Sequence, residues 1–366
     1  MKRRQFTQGL SGVVLASSLT FSAGATNNNP RSLGYRLPDE AEPHERTFMQ
    51  WPVSRRVYFH QSFLEAAQKT IAKVANVISE FEPVVMLMGQ AHQKTARRML
   101  AETVEIWDIP TDDLWCRDSG PVFVKNAQGH LAVTQLNFNG WGNKQHHEND
   151  GLIAERVADR LGLPVFDNGL VGEGGGVESN GQGTLIAHES SWVNRNRNRG
   201  YKVDVEKKLL DALGAEKVIW APGIVGRDIT DYHIDALARF VGPDRVLIQL
   251  PENNDDVWAQ AAYETHQILS KANNAAGQKI RVIVLDDPKN PRNKSPEFVA
   301  SYVNYYLCNN AVIASRFGDD EADENAFAVL SDLFPERDVV MLPVDLLGEL
   351  GGGIHCATQQ QPVYEP

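Results

Sequence analysis

The sequence predicts an α/β protein. Stretches with helical spacing alternate five times with short apolar runs that read as buried strands. Strand pairs joined by turn residues lie between these units. At 366 residues, with 42% hydrophobic and 23% charged side chains, the chain is long enough and apolar enough to bury a large core.

The units come in order. Gln50-Trp51-Pro52 ends a first strand. Residues 62–81 place Phe63, Ala66, Ile71, Val74, Val77 and Ile78 at intervals of three and four, and an apolar strand follows over 83–88. A second helix is expected over 150–161, stopped by Gly162 and followed by a strand at 164–166. A third covers 205–213, stopped by Gly214, with a strand at 218–220. A fourth covers 256–272 before a strand at 280–285, and a fifth covers 322–333 before one at 339–342. Hairpins are expected from 122–124 with 132–138, from 239–241 with 246–248 across Gly242-Pro243-Asp244, and from 302–307 with 312–314 across Asn309-Asn310. The repeat is one of element order, not of residue identity. Five such units can close into a ring, but alternation alone equally describes an open sheet with helices on its faces, which is the simpler expectation.

The N-terminus reads as a targeting segment. Met1-Lys2-Arg3-Arg4-Gln5-Phe6 carries twin arginines, residues 10–21 are mildly apolar, and Ala23-Gly24-Ala25 offers a cleavage site. Residues 1–25 are therefore expected to be a twin-arginine signal, 26–34 a disordered Asn/Pro/Ser-rich linker, and 35–366 one folded domain. The apolar run is too short to span a bilayer. The expected location is periplasmic or secreted, with the twin-arginine translocase as partner during export. Homo-oligomerisation is left open.

A net charge of −11 argues against nucleic acid as a partner, since phosphate binding needs a basic face. It suits a cationic ligand. Three cysteines, Cys116, Cys308 and Cys356, form neither a disulfide framework nor a zinc-ligand spacing.

Four motifs carry chemistry. Cys356 follows Gly351-Gly352-Gly353 and precedes Thr358-Gln359-Gln360-Gln361, poor core material, which favours a reactive thiol over a buried hydrophobe. Asp118 stands between Trp115-Cys116-Arg117 and Ser119-Gly120-Pro121, where a strand edge lets its side chain face a cleft. Glu173 stands against three glycines, Gly174 to Gly176. His233 and Asp235 fall two apart, on one side of an extended segment. Taken singly, each has an ordinary structural explanation in turn capping, loop position or core packing. Together they supply a thiol, an imidazole and three carboxylates. Thiol and imidazole suit attack on an sp² carbon. Several acids call for a cation. Hard metal sites need more oxygen ligands at closer spacing, whereas guanidinium presents a planar fork that carboxylates match.

These motifs, in this order, resemble the agmatine deiminase family, which includes bacterial peptidylarginine deiminases and belongs to the guanidine-modifying superfamily. The resemblance rests on Asp113-x-Trp115-x-Arg117-Asp118-x-Gly120-Pro121, Glu173-Gly174-Gly175, His233-x-Asp235 with Ala238-Arg239-Phe240-Val241, and the Gly351 to Pro362 segment. It implies a single-domain, five-bladed pseudo-fivefold α/β propeller (pentein), with the site in a central channel. It also implies hydrolytic deimination without metal or organic cofactor, the substrate being a small cationic guanidine. Agmatine would give N-carbamoylputrescine and ammonia. The implied catalytic set is Cys356 as nucleophile, His233 as proton donor and then acceptor, Asp118 and Asp235 as guanidinium clamps, and Glu173 as a contact to His233 or the substrate that holds the imidazole in position. Trp115 and Gly353 are implied as further substrate contacts. Peptidylarginine is the same-chemistry alternative, and a periplasmic guanidine or polyamine binding protein is the alternative from another class.

Three departures from the family pattern stand out. Tyr232 occupies a position where agmatine deiminases commonly have Gly, and it is expected to narrow the pocket or to reshape recognition of the substrate tail. Cys116, if strand alternation holds, faces the same side as Asp118 and is a candidate for a disulfide with Cys356. The export signal departs from a mostly cytoplasmic family. The alternating Asn194 to Arg199 run is expected to be a structural loop near the channel, as a related Asn-Arg-Asn segment is in the family.

Overall fold

The described residues form five small sheets, not one continuous sheet. The computed structural model describes residues 29–253 and 255–364. The expected twin-arginine signal, residues 1–25, lies outside them. Among the described residues no helix is long and apolar enough to cross a membrane.

Four sheets share one plan: a short inner strand, an antiparallel hairpin partner, a crossover helix, and a third strand parallel to the second. The sheet built from Val122–Asn126, Leu131–Thr134 and Val165–Phe166 uses the helix Ile153–Leu161. The next has Val177–Ser179, Thr184–His188 and Lys217–Ala221 with Lys202–Leu213. Then come Ala238–Phe240, Arg245–Leu250 and Arg281–Asp286 with Val257–Lys271. After these follow Tyr306–Cys308, Ala311–Ser315 and Asp338–Leu342 with Asp320–Leu333. The remaining blade borrows its inner strand from the other end of the chain. Thr358–Pro362 pairs antiparallel with His44–Gln50, which runs parallel to Val84–Met88 across the helix Gln61–Ile78.

The apolar residues show that these blades form a ring. Five buried clusters exist, and each fills the space between two neighbouring blades. Consecutive residues of a middle strand serve opposite clusters, because strand side chains alternate in direction. Phe48 joins Phe123 on one side while Met49 joins Tyr306 and Ile313 on the other. Leu185 and Ile186 divide in the same way, as do Leu247 and Ile248, and Val312 and Ile313. Every sheet is thus covered on both faces, so its middle strand reads as a continuous apolar run. This overturns the open-sheet expectation: an open arrangement would leave two outer faces without a neighbour.

One local reading needs correction. Residues 29–34 of the expected disordered linker form an ordered turn. Arg31–Leu33 is a 3-10 helix in which Ser32 N donates to Asn29 Oδ1 at 2.8 Å, and Tyr35–Arg36 then pairs with Lys125 and Asn126. The strand Val104–Asp108 and the helix Gln90–Ala96 also belong to the fold; the exposed acids Glu105 and Asp108 break the apolar pattern of the strand.

Candidate active site

Each inner strand is entered through a tight turn, and the five turns converge on the ring axis. Cys116–Ser119 is one helical turn before Val122–Asn126. Gly174–Gly176 and Ile234–Ala236 are single 3-10 turns before the next two inner strands. Ile354 and His355 accept from Ala357 and Thr358 in a turn before Thr358–Pro362. Asn304 precedes Tyr306–Cys308, its N–H donating to Ser301 Oγ at 3.2 Å. The five turns deliver Asp118, Glu173, His233 with Asp235, Asn304 and Cys356, all buried.

Gly175 marks where three of them meet. A Cβ at this position would lie 2.8 Å from Asp118 Oδ1, 2.9 Å from His233 Nδ1 and 3.1 Å from Asp235 Oδ2. Only glycine leaves the space among these groups open. Its N–H donates to Asp118 Oδ1 at 3.2 Å, and Trp141 Nε1 donates to Oδ2 at 2.8 Å. His233 Nε2 lies 3.1 Å from Glu173 Oε2, and its Nδ1 lies 3.6 Å from Asp118 Oδ1.

Burial works against charge on His233. The carboxylates of Asp118 and Glu173 outweigh it, with a smaller contribution from Asp235, and push its pKa up to about 9. It is an imidazolium at neutral pH. Burial pushes the Asp118 carboxyl up to about 6, held back chiefly by His233.

The Cys356 thiol donates to Asp235 Oδ2 at 3.4 Å and receives Asn304 Nδ2 at 3.2 Å. Asn304 Oδ1 accepts from Cys356 N at 3.2 Å. A Cβ on Gly353 would fall 2.5 Å from Asn304 Oδ1, so glycine is what allows this approach. Burial, then Asp235 and Asp118, push the thiol well above its usual range. Asp235 is held below the carboxylate range despite its burial, chiefly by the hydrogen bond from His355 Nδ1 at 2.7 Å. Its Oδ1 has no hydrogen-bond partner among the described residues. Trp115 packs in the apolar cluster that contains Cys356, its ring against Gly352.

Beneath this layer lies a second one. Glu40 accepts from Arg117 Nη2 at 3.0 Å, His355 Nε2 at 2.8 Å and Leu307 N at 2.9 Å, and pairs with Arg239 Nη2 at 3.0 Å. Arg239 also pairs with Glu178 at 2.7 Å and lies over the Tyr305 ring at 4.7 Å. Burial opposes charge on Glu40, but Arg239, His355 and Arg117 hold its carboxyl well below the usual range. A cavity of about 40 Å³ adjoins these groups.

Asp118, Glu173, His233, Asp235 and Cys356 are therefore brought together. Three finer expectations are overturned. Asp118 sits on a helical turn, not a strand edge, so alternation does not apply. Cys116 turns into the apolar cluster of Phe48 and Phe123, whereas Cys356 belongs to a different cluster, and both thiols are free. Tyr232 does not close the pocket: its ring stacks on His188 at 4.8 Å and meets the edge of Trp258 at 5.2 Å. Its φ of +73° is a backbone conformation that favours glycine. Asn304, Glu40, Trp141 and Glu178 were missed. The fivefold plan had a signal for Asn304: the turn before the fifth inner strand lacked an assigned polar residue. Glu40 carried none, because it lies on a connection before the first blade.

A free thiol, a charged imidazole and buried carboxylates meet at the centre of a five-bladed α/β propeller, the setting of an enzyme of the guanidine-modifying kind. The chain belongs to the Porphyromonas-type peptidyl-arginine deiminase family, whose sequence profile matches residues 36–362. It is 34% identical over 369 residues to the agmatine deiminase of Medicago truncatula, covering 92% of this chain and 98% of that one. A Streptomyces coelicolor protein, named provisionally for the same activity, is 36% identical over 339 residues, 90% of this chain and 99% of its own. The solved agmatine deiminase of Enterococcus faecalis superposes with a TM-score of 0.84 at 28% identity, over 92% of this chain and 98% of that one.

Proposed function

We propose that this protein hydrolyses the guanidinium group of agmatine to N-carbamoylputrescine and ammonia. The observation that carries the reading is the open space at Gly175, bounded by Asp118, His233 and Asp235. A guanidinium placed there meets Asp118 and Asp235, whose negative charge adds to burial in holding the Cys356 thiol protonated. Its cationic charge offsets both and favours the thiolate, with Asn304 Nδ2 and the backbone N–H of Gly353 directed at the sulfur. The substrate thus creates its own nucleophile.

The thiol proton leaves to solvent and the thiolate adds to the guanidinium carbon. The His233 imidazolium protonates the departing nitrogen, the C–N bond breaks, and a thiouronium remains on Cys356. His233, now neutral, takes a proton from water, and the hydroxide adds to the thiouronium carbon. Collapse breaks the C–S bond; the hydroxyl proton passes to the released ammonia as the ureido product forms, and the thiolate left on Cys356 regains a proton from solvent, His233 being already an imidazolium. Guanidinium plus water gives ureido product plus ammonium, so atoms and charge balance.

The test is ureido-product and ammonia formation by the reduced protein with agmatine, free arginine and an arginine-terminated peptide side by side. Turnover of agmatine supports the reading. Turnover of the peptide alone moves the assignment to peptidylarginine, which the family's name favours. Tight agmatine binding that survives C356A, with no turnover, makes it a binding protein. Export through the twin-arginine route is part of the proposal. It rests on Arg3 and Arg4, and retention of an R3K/R4K variant in the cytoplasm checks it.

A further inference from the structure

The Asn194 to Arg199 run takes no part in the reaction just described, yet one of its arginines reaches the centre of the site. The Arg197 side chain is completely buried. All of its donors are engaged. Nε meets Glu173 Oε1 at 2.8 Å and Nη2 meets Oε2 at 3.4 Å. Nη1 meets Asp231 Oδ2 at 2.8 Å and Asn196 Oδ1 at 2.9 Å, and Nη2 also meets Thr230 O at 3.2 Å.

These contacts grip His233 from both directions. Glu173 is the carboxylate on the imidazole Nε2. Asp231 and Thr230 belong to the turn that delivers the His233 backbone, where Asp231 and Tyr232 hold φ of +60° and +73°. Two consecutive non-glycine residues in this region persist only where surrounding contacts over-determine them. Arg197 supplies such contacts, together with Lys144 Nζ on Asp231 Oδ2 at 2.7 Å and Gly226 N on Oδ1 at 2.7 Å.

We propose that Arg197 is a positioning residue for His233, fixing the orientation of its Glu173 partner and of its own backbone turn, and tempering through Glu173 the charge the imidazole experiences. The proposal rests on the reading of His233 as proton donor and acceptor. The charged and titratable groups facing the ring are Glu173, Asp118 and Asp235, with His188 behind. Apart from the imidazolium itself, Arg197 is the one cation bonded to Glu173 among the described residues. A planar fork suits the two-carboxylate grip and an ammonium does not.

The test is a titration of His233 by NMR in ring-labelled full-length protein, for wild type, R197Q and R197K, beside kcat and KM. In R197Q the compensating cation is gone, so the His233 titration moves above its wild-type midpoint. kcat falls about 10- to 100-fold, part of the ~10²–10⁴ that general acid–base catalysis supplies, while KM changes little. R197K keeps the charge and the wild-type midpoint but loses the fork, so kcat still falls. An unchanged or lowered midpoint in R197Q overturns the proposal, as does wild-type kcat in R197K. If R197Q does not fold, the R197K rate decides. The titration does not depend on turnover, so absence of deiminase activity would undo the functional reading without touching the Arg197 result.

Discussion

The Cys356 thiol rests on Asp235, donating to Oδ2 at 3.4 Å, while His233 is engaged by Glu173 and Asp118. Nucleophile and imidazole therefore do not form the thiolate–imidazolium pair of a papain-like site. The resting sulfur is a thiol whose ionisation is suppressed by burial and by the Asp235 and Asp118 carboxylates.

Alkylation of Cys356 by iodoacetamide should accordingly be slow at neutral pH and accelerate toward alkaline pH. D235N removes the nearest negative charge on the sulfur, so alkylation at neutral pH should speed up while turnover collapses. Mass-resolved labelling of Cys356 checks both; slower alkylation in D235N would falsify this electrostatic account.

The pH dependence of kcat/KM follows from two groups. His233 is pushed up to about 9 and must carry its proton to expel ammonia, so activity is present below that value and is lost as pH rises through it. Asp118 is pushed up to about 6 and must be ionised to hold guanidinium, so activity is lost as pH falls through it. The expected profile is a bell with limbs near these values, and E173Q should move the alkaline limb down. An alkaline limb that E173Q leaves in place contradicts the assignment.

Glu40 is the acceptor on which Arg117, Arg239 and His355 converge. E40Q leaves buried guanidinium charge uncompensated, and breaking such a pair from one side costs about 3–5 kcal/mol. The cost should appear as a lower urea midpoint with an unchanged slope. A midpoint within experimental error of wild type would mean that the arginines find other partners.

Tyr232→Gly sets two effects against each other. It relieves a left-handed residue, a gain of about 1–2 kcal/mol. It also removes a packed aromatic ring from His188 and Trp258, and such truncations cost about 3–5 kcal/mol when buried. The loss is larger, so thermal stability should fall. KM for agmatine should stay near wild type, because the ring is packed against His188 and Trp258, whereas the open space at Gly175 is bounded by Asp118, His233 and Asp235. A large KM change would return the ring to the pocket.

Much of this arrangement was legible in the sequence because the chemistry sits on turns. Asp118, Glu173, His233, Asp235 and Cys356 stand beside glycines or tight turns, and such local punctuation survives in one dimension. The five helices were legible from their spacing. Ring closure was not, because it depends on which face of each strand meets which neighbour; Phe48 and Met49 are both simply apolar until they are seen to enter different clusters. The second layer was hidden for another reason. Glu40 acts on His355 across 315 positions of sequence, and neither residue type announces burial.

The strand that fastens the ring, Thr358–Pro362 against His44–Gln50, directly follows the turn that carries the nucleophile. During synthesis the thiol is thus the last of the reactive groups to leave the ribosome, and the first blade stays unsealed until the residues behind it emerge. A partly made chain has the acids and the imidazole but neither the sulfur nor a closed barrel to hold it. Catalytic competence and closure of the ring become one event, and removal of Thr358–Pro362 is expected to forfeit both together.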